Sequence, residues 1–192
     1  MCNVDNLRKE INMVLSYSDC IKKYGSHYLF KKELAAGNLF TVEKGFYSDK
    51  KNVSDKEKIT AKYPRAVFCG QSAYYYHGLT DVIPDDYFLA TRREDTRIKE
   101  ENIHQTYVKD ELFDIGVTEM ENNGTKIKIY DLERMLIDLI RFKSKIPFDY
   151  YKEVINNYRN RIYEMDFSKL EEYAAHFDKK ESIMKAVELE VL

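Results

Sequence analysis

The sequence has few of the residues that carry covalent, metal or redox chemistry. Its 192 residues include no tryptophan and only three cysteines, Cys2, Cys20 and Cys69. The cysteines are odd in number and widely spaced, they form no Cys-x-x-Cys pair, and no histidine lies near one at the spacing of metal ligands. Both a disulfide framework and a structural zinc site are therefore disfavoured, and we expect neither a metal nor a cofactor.

Long apolar runs and flexible segments are also scarce. No stretch approaches the length of a transmembrane helix, and the first residues have no basic segment followed by an apolar run. We therefore expect a cytoplasmic protein with no signal peptide and no membrane partner. Only 3 prolines and 7 glycines occur, so no long linker is visible, and 44% hydrophobic with 33% charged residues is the balance of a globular chain.

Charge is divided unevenly along the chain. Residues 1–65 contain 13 Lys and Arg against 8 Asp and Glu, a net charge of +5, whereas residues 66–192 contain 18 against 25, a net charge of −7. A basic N-terminal part in front of an acidic remainder suggests that the basic part contacts a polyanion. A random distribution of surface charge would give the same numbers, so net charge alone does not decide between contact with a polyanion and chance.

The first 52 residues predict three helices followed by a β-hairpin. Capping residues and glycines set the helix limits. The predicted elements are a helix from the Asp5-Asn6 cap to about Ser16, a helix at 19–24 capped by Ser18, a helix from the Ser26 cap to about Ala36, and strands at 39–42 and 46–48 around a turn at 43–45. This order is the plan of a winged helix-turn-helix, so residues 1–52 are predicted to be a DNA-binding domain of that type.

Residues 53–192 predict a second domain of mixed α/β structure. Strands are expected at 87–91, 103–108, 115–120 and 126–130, and helices at 54–63, 70–77, 132–143, 149–162, 168–177 and 180–190. Asn122-Asn123-Gly124 is a tight hairpin turn between the last two strands. The whole chain is therefore expected to be α+β, its second domain having a small, largely antiparallel sheet and a helical C-terminus.

The third predicted helix carries the surface that would read DNA, because this helix enters the major groove in a helix-turn-helix. Phe30 and Leu34 are four residues apart and face the core, which leaves Tyr28, Lys31 and Lys32 on the opposite face. That face has no Arg, Asn or Gln in its middle, so we expect affinity to come mainly from phosphates and to depend on salt. The predicted DNA contacts are Lys22, Lys23, Ser26, His27, Tyr28, Lys31, Lys32, Lys44, Lys50 and Lys51. Alternatively, these lysines only form a solvent-exposed face that contacts no ligand. A further alternative is a protein-binding domain, because some winged helices bind only protein.

Two segments of the second domain are distinctive. Residues 70–81 read Gly-Gln-Ser-Ala-Tyr-Tyr-Tyr-His-Gly-Leu-Thr-Asp, and residues 130–140 read Tyr-Asp-Leu-Glu-Arg-Met-Leu-Ile-Asp-Leu-Ile. Together with the leucine and glycine spacing of residues 34–47, they resemble the AbiEi family over residues 20–192. The residues that match the two family motifs are Ser72, His77, Gly78, Asp81, Asp131, Glu133, Arg134 and Asp138.

The AbiEi family consists of antitoxins and transcriptional regulators from type IV toxin–antitoxin, or abortive-infection, systems. The resemblance implies that the N-terminal domain binds inverted repeats of double-stranded DNA in its own promoter and acts as a repressor. It also implies that the second domain is an antitoxin or regulatory domain that counters a nucleotidyltransferase-like toxin without forming a tight complex. Orphan regulators share this architecture, so the resemblance alone does not make the chain an antitoxin.

The motif residues also have purely structural interpretations, which we favour. Asp131 is a good N-cap, Glu133 suits the positive end of a helix, and Arg134 can pair with Asp138 one turn later. His77 precedes the glycine that ends its helix, and a lone histidine at such a place is more often structural than catalytic.

An enzyme is disfavoured by the spacing of the acidic residues. Asp85 and Asp86 follow a Gly-x-Ser sequence much as metal-binding carboxylates do in a nucleotidyltransferase, but that chemistry needs two carboxylates on one strand face. Adjacent residues point to opposite faces, and no P-loop, Gly-x-Ser-x-Gly or Cys/His arrangement occurs. We therefore expect no enzymatic activity.

Two other functions stay open beside the autorepressor and antitoxin. One is a protein-interaction module whose second domain sequesters a partner and whose N-terminal domain is vestigial. The other is a ligand-responsive repressor that uses its aromatic second domain as the sensor. The only hint of the latter is the run Tyr74, Tyr75 and Tyr76, which is also explained by helix packing.

Overall fold

The computed structural model describes residues 14–192, which form a mixed α+β fold. Contacts within the chain divide it into two compact units. The N-terminal unit contains the described residues up to Pro64 together with Glu121–Thr125, and the C-terminal unit contains Arg65–Met120 and Lys126–Leu192.

A small antiparallel sheet and three helices make up the described part of the N-terminal unit. In chain order its elements are β1 (Leu15–Ser16), α1 (Tyr17–Tyr24), α2 (His27–Ala35), β2 (Phe40–Glu43), β3 (Phe46–Ser48) and α3 (Asp55–Lys62). The strand order is β1-β3-β2, and β3 is antiparallel to both neighbours. The predicted hairpin is therefore confirmed, and a strand that was not predicted joins its far edge.

Serine caps set the beginnings of these helices. Ser16, Ser26 and Ser54 each accept a hydrogen bond on Oγ from the backbone N–H three residues later, at 3.2, 3.2 and 3.3 Å. Glu57 completes a capping box on α3 by accepting from the backbone N–H of Ser54 at 2.8 Å. Each such cap satisfies a backbone donor that the first turn of a helix leaves free, and the predicted cap at Ser26 is confirmed.

The observed helix limits at the start of this unit differ from the predicted ones at two places. The first predicted helix lies mostly outside the described residues, but its expected end at Ser16 is a strand, in which Leu15 pairs with Tyr47 and Ser16 with Phe46. The second helix begins at Tyr17, two residues earlier than predicted, because Ser16 instead of Ser18 has the extended backbone of a cap. Both differences have one cause. Ser16 is the last residue of the two-residue strand β1 and is also the N-cap of α1.

The core of the N-terminal unit is small and rich in rings. Cys20, Phe30 and Leu39 are its buried centre, and the Phe30 ring packs edge-on against Tyr47 at 4.8 Å between centroids. The partly buried side chains around them are Leu15, Ile21, Tyr24, Leu34 and Tyr47. These contacts join α1, α2 and the sheet, and they fix which face of α2 is turned outward.

The N-terminal unit extends beyond residue 52, where the sequence predicted the domain boundary. Helix α3 lies near β1, and two ion pairs connect its region with the hairpin: Lys62 to Glu43 at 3.1 Å, and Lys50 to Glu57 at 3.4 Å. The compact unit therefore continues through Pro64. Sequence placed the boundary too early because the polar stretch at 49–54 has a loop composition, although it only connects the hairpin to α3.

A five-stranded sheet and a helical C-terminal half make up most of the rest of the chain. The elements are β4 (Val67–Phe68), α4 (Gly70–Tyr76), β5 (Tyr87–Arg92), β6 (Ile103–Val108), α5 (Asp110–Phe113), β7 (Val117–Asn122), β8 (Thr125–Tyr130), α6 (Leu132–Arg141), α7 (Phe148–Asn160), α8 (Phe167–Ala174) and α9 (Lys180–Glu190), with single 3₁₀ turns at Lys143–Lys145 and Ile162–Glu164. The strands and helices predicted beyond residue 65 are confirmed to within three residues at either end. The short elements β4 and α5 were not predicted.

The five-stranded sheet is mixed, so the prediction of a largely antiparallel sheet is wrong. Its order is β6-β5-β4-β8-β7, and β5 is parallel to β6 while β4 is parallel to β8. Parallel neighbours usually need a crossover of a dozen or more residues, commonly a helix, and only the charged loop at 93–102 connects β5 to β6. Gln105 fixes that loop by accepting from Ile98 N at 2.8 Å and donating to Thr96 O at 3.2 Å.

Helix α6 is the centre of the C-terminal unit. It packs against α4, α8 and α9, and its side chains Met135, Leu136, Ile137 and Leu139 are fully buried. Asp131 caps it by accepting from Arg134 N on Oδ1 at 2.9 Å, as predicted. The second family-like segment is therefore the strand end and central helix around which this unit is built.

Candidate nucleic-acid interface

Helix α2 presents two different faces, as its spacing predicted. Phe30 is 1% exposed and points into the core, while Leu34 is half-buried beside it. Tyr28 is 76% exposed, and Lys31 and Lys32 are exposed on the same outer side of the helix. A tyrosine ring and two ammonium groups are thus free to meet a ligand along one helix face.

The predicted contact lysines differ in how far other charges compensate them. Within residues 14–192, Lys31, Lys32, Lys44 and Lys51 have no acidic partner, and all four are exposed. Lys22 is paired with Asp19 at 3.3 Å, and Lys50 is paired with Glu57 at 3.4 Å. Lys23 is half-buried and lies 6.0 Å from the ring of Tyr24. The uncompensated positive charge is therefore concentrated at α2, the hairpin turn and the segment after β3.

The hairpin turn holds Lys44 at its tip. Gly45 has a φ of +87°, a left-handed conformation that a β-branched or bulky residue would strain. The carbonyl of Gly45 accepts a hydrogen bond from the backbone N–H of Tyr17 at 2.8 Å, which ties the turn to the start of α1. Glu43, the acidic residue next to the tip, is neutralised by Lys62 at 3.1 Å. The tip consequently presents a single positive charge on an anchored turn.

His27 is held by a residue that the sequence did not single out. Its Nδ1 is hydrogen-bonded to the Tyr17 hydroxyl at 2.8 Å, and the Tyr17 ring packs edge-on against Phe30 at 5.5 Å. Tyr17 is itself 41% exposed. Because the two partners lie on different helices ten residues apart, no sequence spacing indicates their contact. Ser26, also a predicted DNA contact, is half-buried and uses its Oγ to cap α2.

The first family-like segment is used to fix α4 and the chain that follows. Ser72 is fully buried, and its Oγ accepts a hydrogen bond from Phe88 N at 2.8 Å. His77 ends α4, and Gly78 follows it with a φ of +67°. Asp81 is exposed and has no partner in the described part of the chain. Three of these four motif residues therefore have a structural task, and Asp81 is available at the surface.

His77 is a half-buried side chain whose surroundings disfavour its charged form. Its Nε2 lies 2.7 Å from the carbonyl oxygen of Tyr130, and because a carbonyl only accepts, Nε2 carries the proton. Burial lowers the pKa of His77 below its ordinary value, and the nearby Arg161 guanidinium acts in the same direction. The histidine thus connects α4 to the end of β8 in its uncharged form.

The titration of His77 predicts how stability depends on pH. In the unfolded chain His77 takes up a proton below about pH 6.5, whereas the folded form resists protonation, so the free energy of unfolding falls as the pH decreases from about 7 to 5. His77→Gln keeps an amide donor for the Tyr130 carbonyl but cannot titrate. We therefore expect a smaller loss of stability in the variant over this range, measured by urea denaturation at several pH values. An equally steep loss in both proteins would contradict the role given to His77.

The second family-like segment is connected entirely to the interior of the C-terminal unit. Arg134 is 1% exposed, donates from Nε to Asp138 Oδ2 at 3.0 Å, and donates from Nη1 to the carbonyls of Leu112 and Ile115 at 2.6 and 2.9 Å. Its guanidinium lies 4.3 Å from the Tyr130 ring centroid. A planar cation with five donors suits this place, since it satisfies two buried carbonyls and one carboxylate at once.

The other motif carboxylates connect α6 to the segment around α8. Asp131 Oδ2 pairs with Lys169 at 2.8 Å, and buried Glu133 accepts from Asp166 N on Oε1 at 2.9 Å. Asp138 has a second partner, Arg141, whose Nη1 donates to its Oδ1 at 2.8 Å. Each acidic residue of this motif therefore has a structural partner, which agrees with the structural interpretation of the segment.

Comparisons with known proteins give a likeness of fold. No protein-family model and no curated protein match the sequence. Among solved structures, the crystal structure of the RV2827C protein from Mycobacterium tuberculosis is similar, with a TM-score of 0.57 and 11% sequence identity over 92% of this chain and 71% of that chain. The likeness therefore extends over most of both chains and concerns the fold alone.

Neither a membrane-spanning helix nor a metal-binding cluster is found within residues 14–192. No helix in that range is both long enough and apolar enough to cross a membrane. In the same part of the chain, no group of three or more His, Cys, Asp or Glu side chains is arranged to hold a metal ion.

Proposed function

We propose that this chain is a DNA-binding transcriptional autorepressor and the antitoxin of a type IV, AbiEi-like toxin–antitoxin system. One observation carries the DNA-binding half: four exposed lysines without an acidic partner among the described residues, Lys31, Lys32, Lys44 and Lys51. They stand on the outer face of α2, at the hairpin tip and just after β3. Exposed ammonium groups without counter-charges are what phosphate binding requires.

We interpret the N-terminal unit as a winged helix, with α2 as the recognition helix and the β2–β3 hairpin as the wing. Support comes from the element order, in which α1 and α2 form a capped helix pair and the hairpin follows directly. Strand β1 adds to this interpretation, because it pairs with β3 and so attaches the hairpin to the beginning of the helix pair. In this arrangement α2 lies in a major groove and Lys44 contacts the flanking backbone.

Much of the binding energy in this proposal is electrostatic. The middle of the outer α2 face offers Tyr28, Lys31 and Lys32, none of which makes the bidentate base contacts of Arg, Asn or Gln. Sequence preference then depends on the tyrosine, on single hydrogen bonds and on the shape of the DNA. The repressor is thus expected to bind its operator with strong salt dependence.

The antitoxin half of the proposal is supported by the resemblance of the two C-terminal segments to the AbiEi family. The motif residues of α6 bond mainly to their own unit, through Arg134, Asp131 and Glu133. We therefore assign these motifs to the fold that the family shares, and we expect the surface that counters the toxin to use other residues. A nucleotidyltransferase-like protein is the functional partner in this proposal, opposed without a tight complex.

A mobility-shift measurement with the DNA upstream of the chain's own gene tests the DNA-binding half. We expect the affinity for this DNA to be about tenfold or more higher than for shuffled DNA of equal length and composition. The affinity should fall as the salt concentration rises. Equal binding to both DNAs, or no complex at low salt, would refute the autorepressor.

Co-expression with the protein encoded next downstream tests the antitoxin half, which predicts growth rescue without co-elution on size exclusion. Absence of rescue would refute that half alone.

A further inference from the structure

The C-terminal unit contains a cavity whose walls come from segments distant in the sequence. Its volume is about 500 Å³. Seven aromatic side chains line it, among them Tyr74 from α4, Phe88 from β5, Tyr130 from β8 and Phe177 after α8. Volumes of this size and walls dominated by rings with a few polar groups are typical of small-molecule sites.

One polar group in the wall has no partner. Tyr150 lines the cavity, and its hydroxyl oxygen is buried without a hydrogen bond to any described residue. The other buried tyrosine hydroxyls of the wall are satisfied, since Tyr74 donates to Met135 O at 3.4 Å and Tyr130 donates to Phe113 O at 3.0 Å. The Tyr150 hydroxyl oxygen is enclosed by protein atoms, so it does not face the open space of the cavity and offers no donor to an occupant.

The wall also holds an excess of positive charge. Arg134 and Arg141 both line the cavity and share one carboxylate, Asp138, at 3.0 and 2.8 Å. Two guanidinium groups against one carboxylate leave one positive charge uncompensated. The remaining charges of the wall are balanced, because Lys109 is paired with Glu111 at 3.5 Å, while Lys145 and Asp178 contribute one charge of each sign.

Arg141 is the group able to use that charge on an occupant. Arg134 is 1% exposed and donates to two carbonyls and to Asp138, whereas Arg141 is 31% exposed and makes one hydrogen bond, from Nη1 to Asp138. Its guanidinium is stacked 4.5 Å from the Phe177 centroid and 5.2 Å from the Phe142 centroid, which fixes the direction of its remaining N–H groups. A pre-oriented guanidinium with free N–H groups suits a carboxylate, which it can bind through two parallel hydrogen bonds.

We propose that this cavity is a binding site for a small aromatic acid, a planar ring system that carries one carboxylate. The ring lies among the aromatic side chains of the wall, and the carboxylate is bound by Arg141. Burial raises the pKa of the Cys69 thiol in the wall to about 12, so this thiol stays protonated at neutral pH.

Calorimetric titration of the full chain, without DNA, tests the proposal with 2-naphthoate and its uncharged analogue 2-naphthamide as probes. We expect saturable one-to-one binding of 2-naphthoate and binding of 2-naphthamide that is about tenfold or more weaker, since the amide lacks the charge that Arg141 recognises. Equal affinities for the two probes would overturn the assignment of an acid. Absence of saturable binding by 2-naphthoate would overturn the site. Neither result affects the DNA-binding proposal, because no DNA is present.

Two variants and a matched control locate the binding. Arg141→Gln removes the charge and is expected to weaken 2-naphthoate binding about tenfold or more, while leaving the affinity for 2-naphthamide within about twofold. Tyr150→Phe removes only the enclosed hydroxyl, so it is expected to leave the affinity for 2-naphthoate within about twofold while the melting temperature of the free protein stays equal or rises. The control Lys126→Gln removes an exposed charge on β8, outside the cavity, and should bind both probes like the parent. Unchanged 2-naphthoate affinity in Arg141→Gln would overturn the proposal.

Discussion

Replacing Arg134 with methionine lowers the free energy of unfolding by about 3–5 kcal/mol. The substitution keeps much of the apolar stem but removes the cation that pairs with Asp138 and donates to the carbonyls of Leu112 and Ile115. Those two acceptors are then left without the donor that satisfies them, and the carboxylate retains only Arg141. The loss is large because unpaired buried polar groups pay their full desolvation cost in the folded state.

Urea denaturation followed by circular dichroism measures this loss, since the chain has no tryptophan to report by fluorescence. The control is Arg93→Met, which removes an exposed arginine of the loop after β5 and should change stability by about 0.5 kcal/mol or less. Arg134→Lys keeps the charge but loses the planar fork, so its stability should lie between the parent and Arg134→Met. A loss below about 1 kcal/mol in Arg134→Met would contradict the role that we give to this residue.

Changing Lys31 and Lys32 together to alanine weakens binding to the upstream DNA by roughly tenfold to a hundredfold. Both side chains are exposed on α2 and neither has an acidic partner among the described residues, so their removal takes away two phosphate contacts without disturbing the fold. The measurement is fluorescence anisotropy at one fixed salt concentration.

The matched control for that pair is Lys126→Ala with Lys185→Ala, two exposed lysines of the C-terminal unit. This control changes the net charge by the same amount. Any difference in DNA affinity between the two double variants is therefore due to the position of the lysines and not to the total charge. Equal losses of affinity in both would mean that α2 is not the contact surface.

Local structure was the part of this fold that the sequence predicted well. Ser26 is recognisable as a cap because a serine side chain satisfies a free backbone donor where a helix begins. The outer face of α2 was predicted for a similar reason, since the positions of Phe30 and Leu34 determine where Lys31 and Lys32 point. Such signals depend only on neighbours within one or two helical turns.

Contacts between distant segments were the part that the sequence did not predict. Strand β1 has only two residues, too few for an alternating pattern, and it exists because Tyr47 and Phe46 pair with it. The parallel pairing of β5 with β6 was missed because their connection has no crossover helix to signal it. Register between such strands depends on the whole sheet.

The aromatic cavity was missed for the same reason. Of the tyrosine run at 74–76, which hinted at a sensor, Tyr74 lines the cavity, whereas Tyr76 packs edge-on against Phe68 at 5.4 Å. Arg141, which gives the cavity its uncompensated charge, lies on another helix, one residue beyond the second family-like segment. The motifs that carry the resemblance therefore do not contain the residue that recognises the ligand in the proposed binding site.

The salt dependence of DNA affinity tests the central claim, that the lysines of the N-terminal unit bind DNA phosphates. For the parent chain on its upstream DNA, four phosphate contacts predict a slope of about −3 to −4 for log affinity against log salt concentration. The Lys31→Ala, Lys32→Ala variant should have a slope shallower by about 2, because each lost contact removes about 0.9. A flat dependence in the parent, or the same slope in both proteins, would contradict the claim.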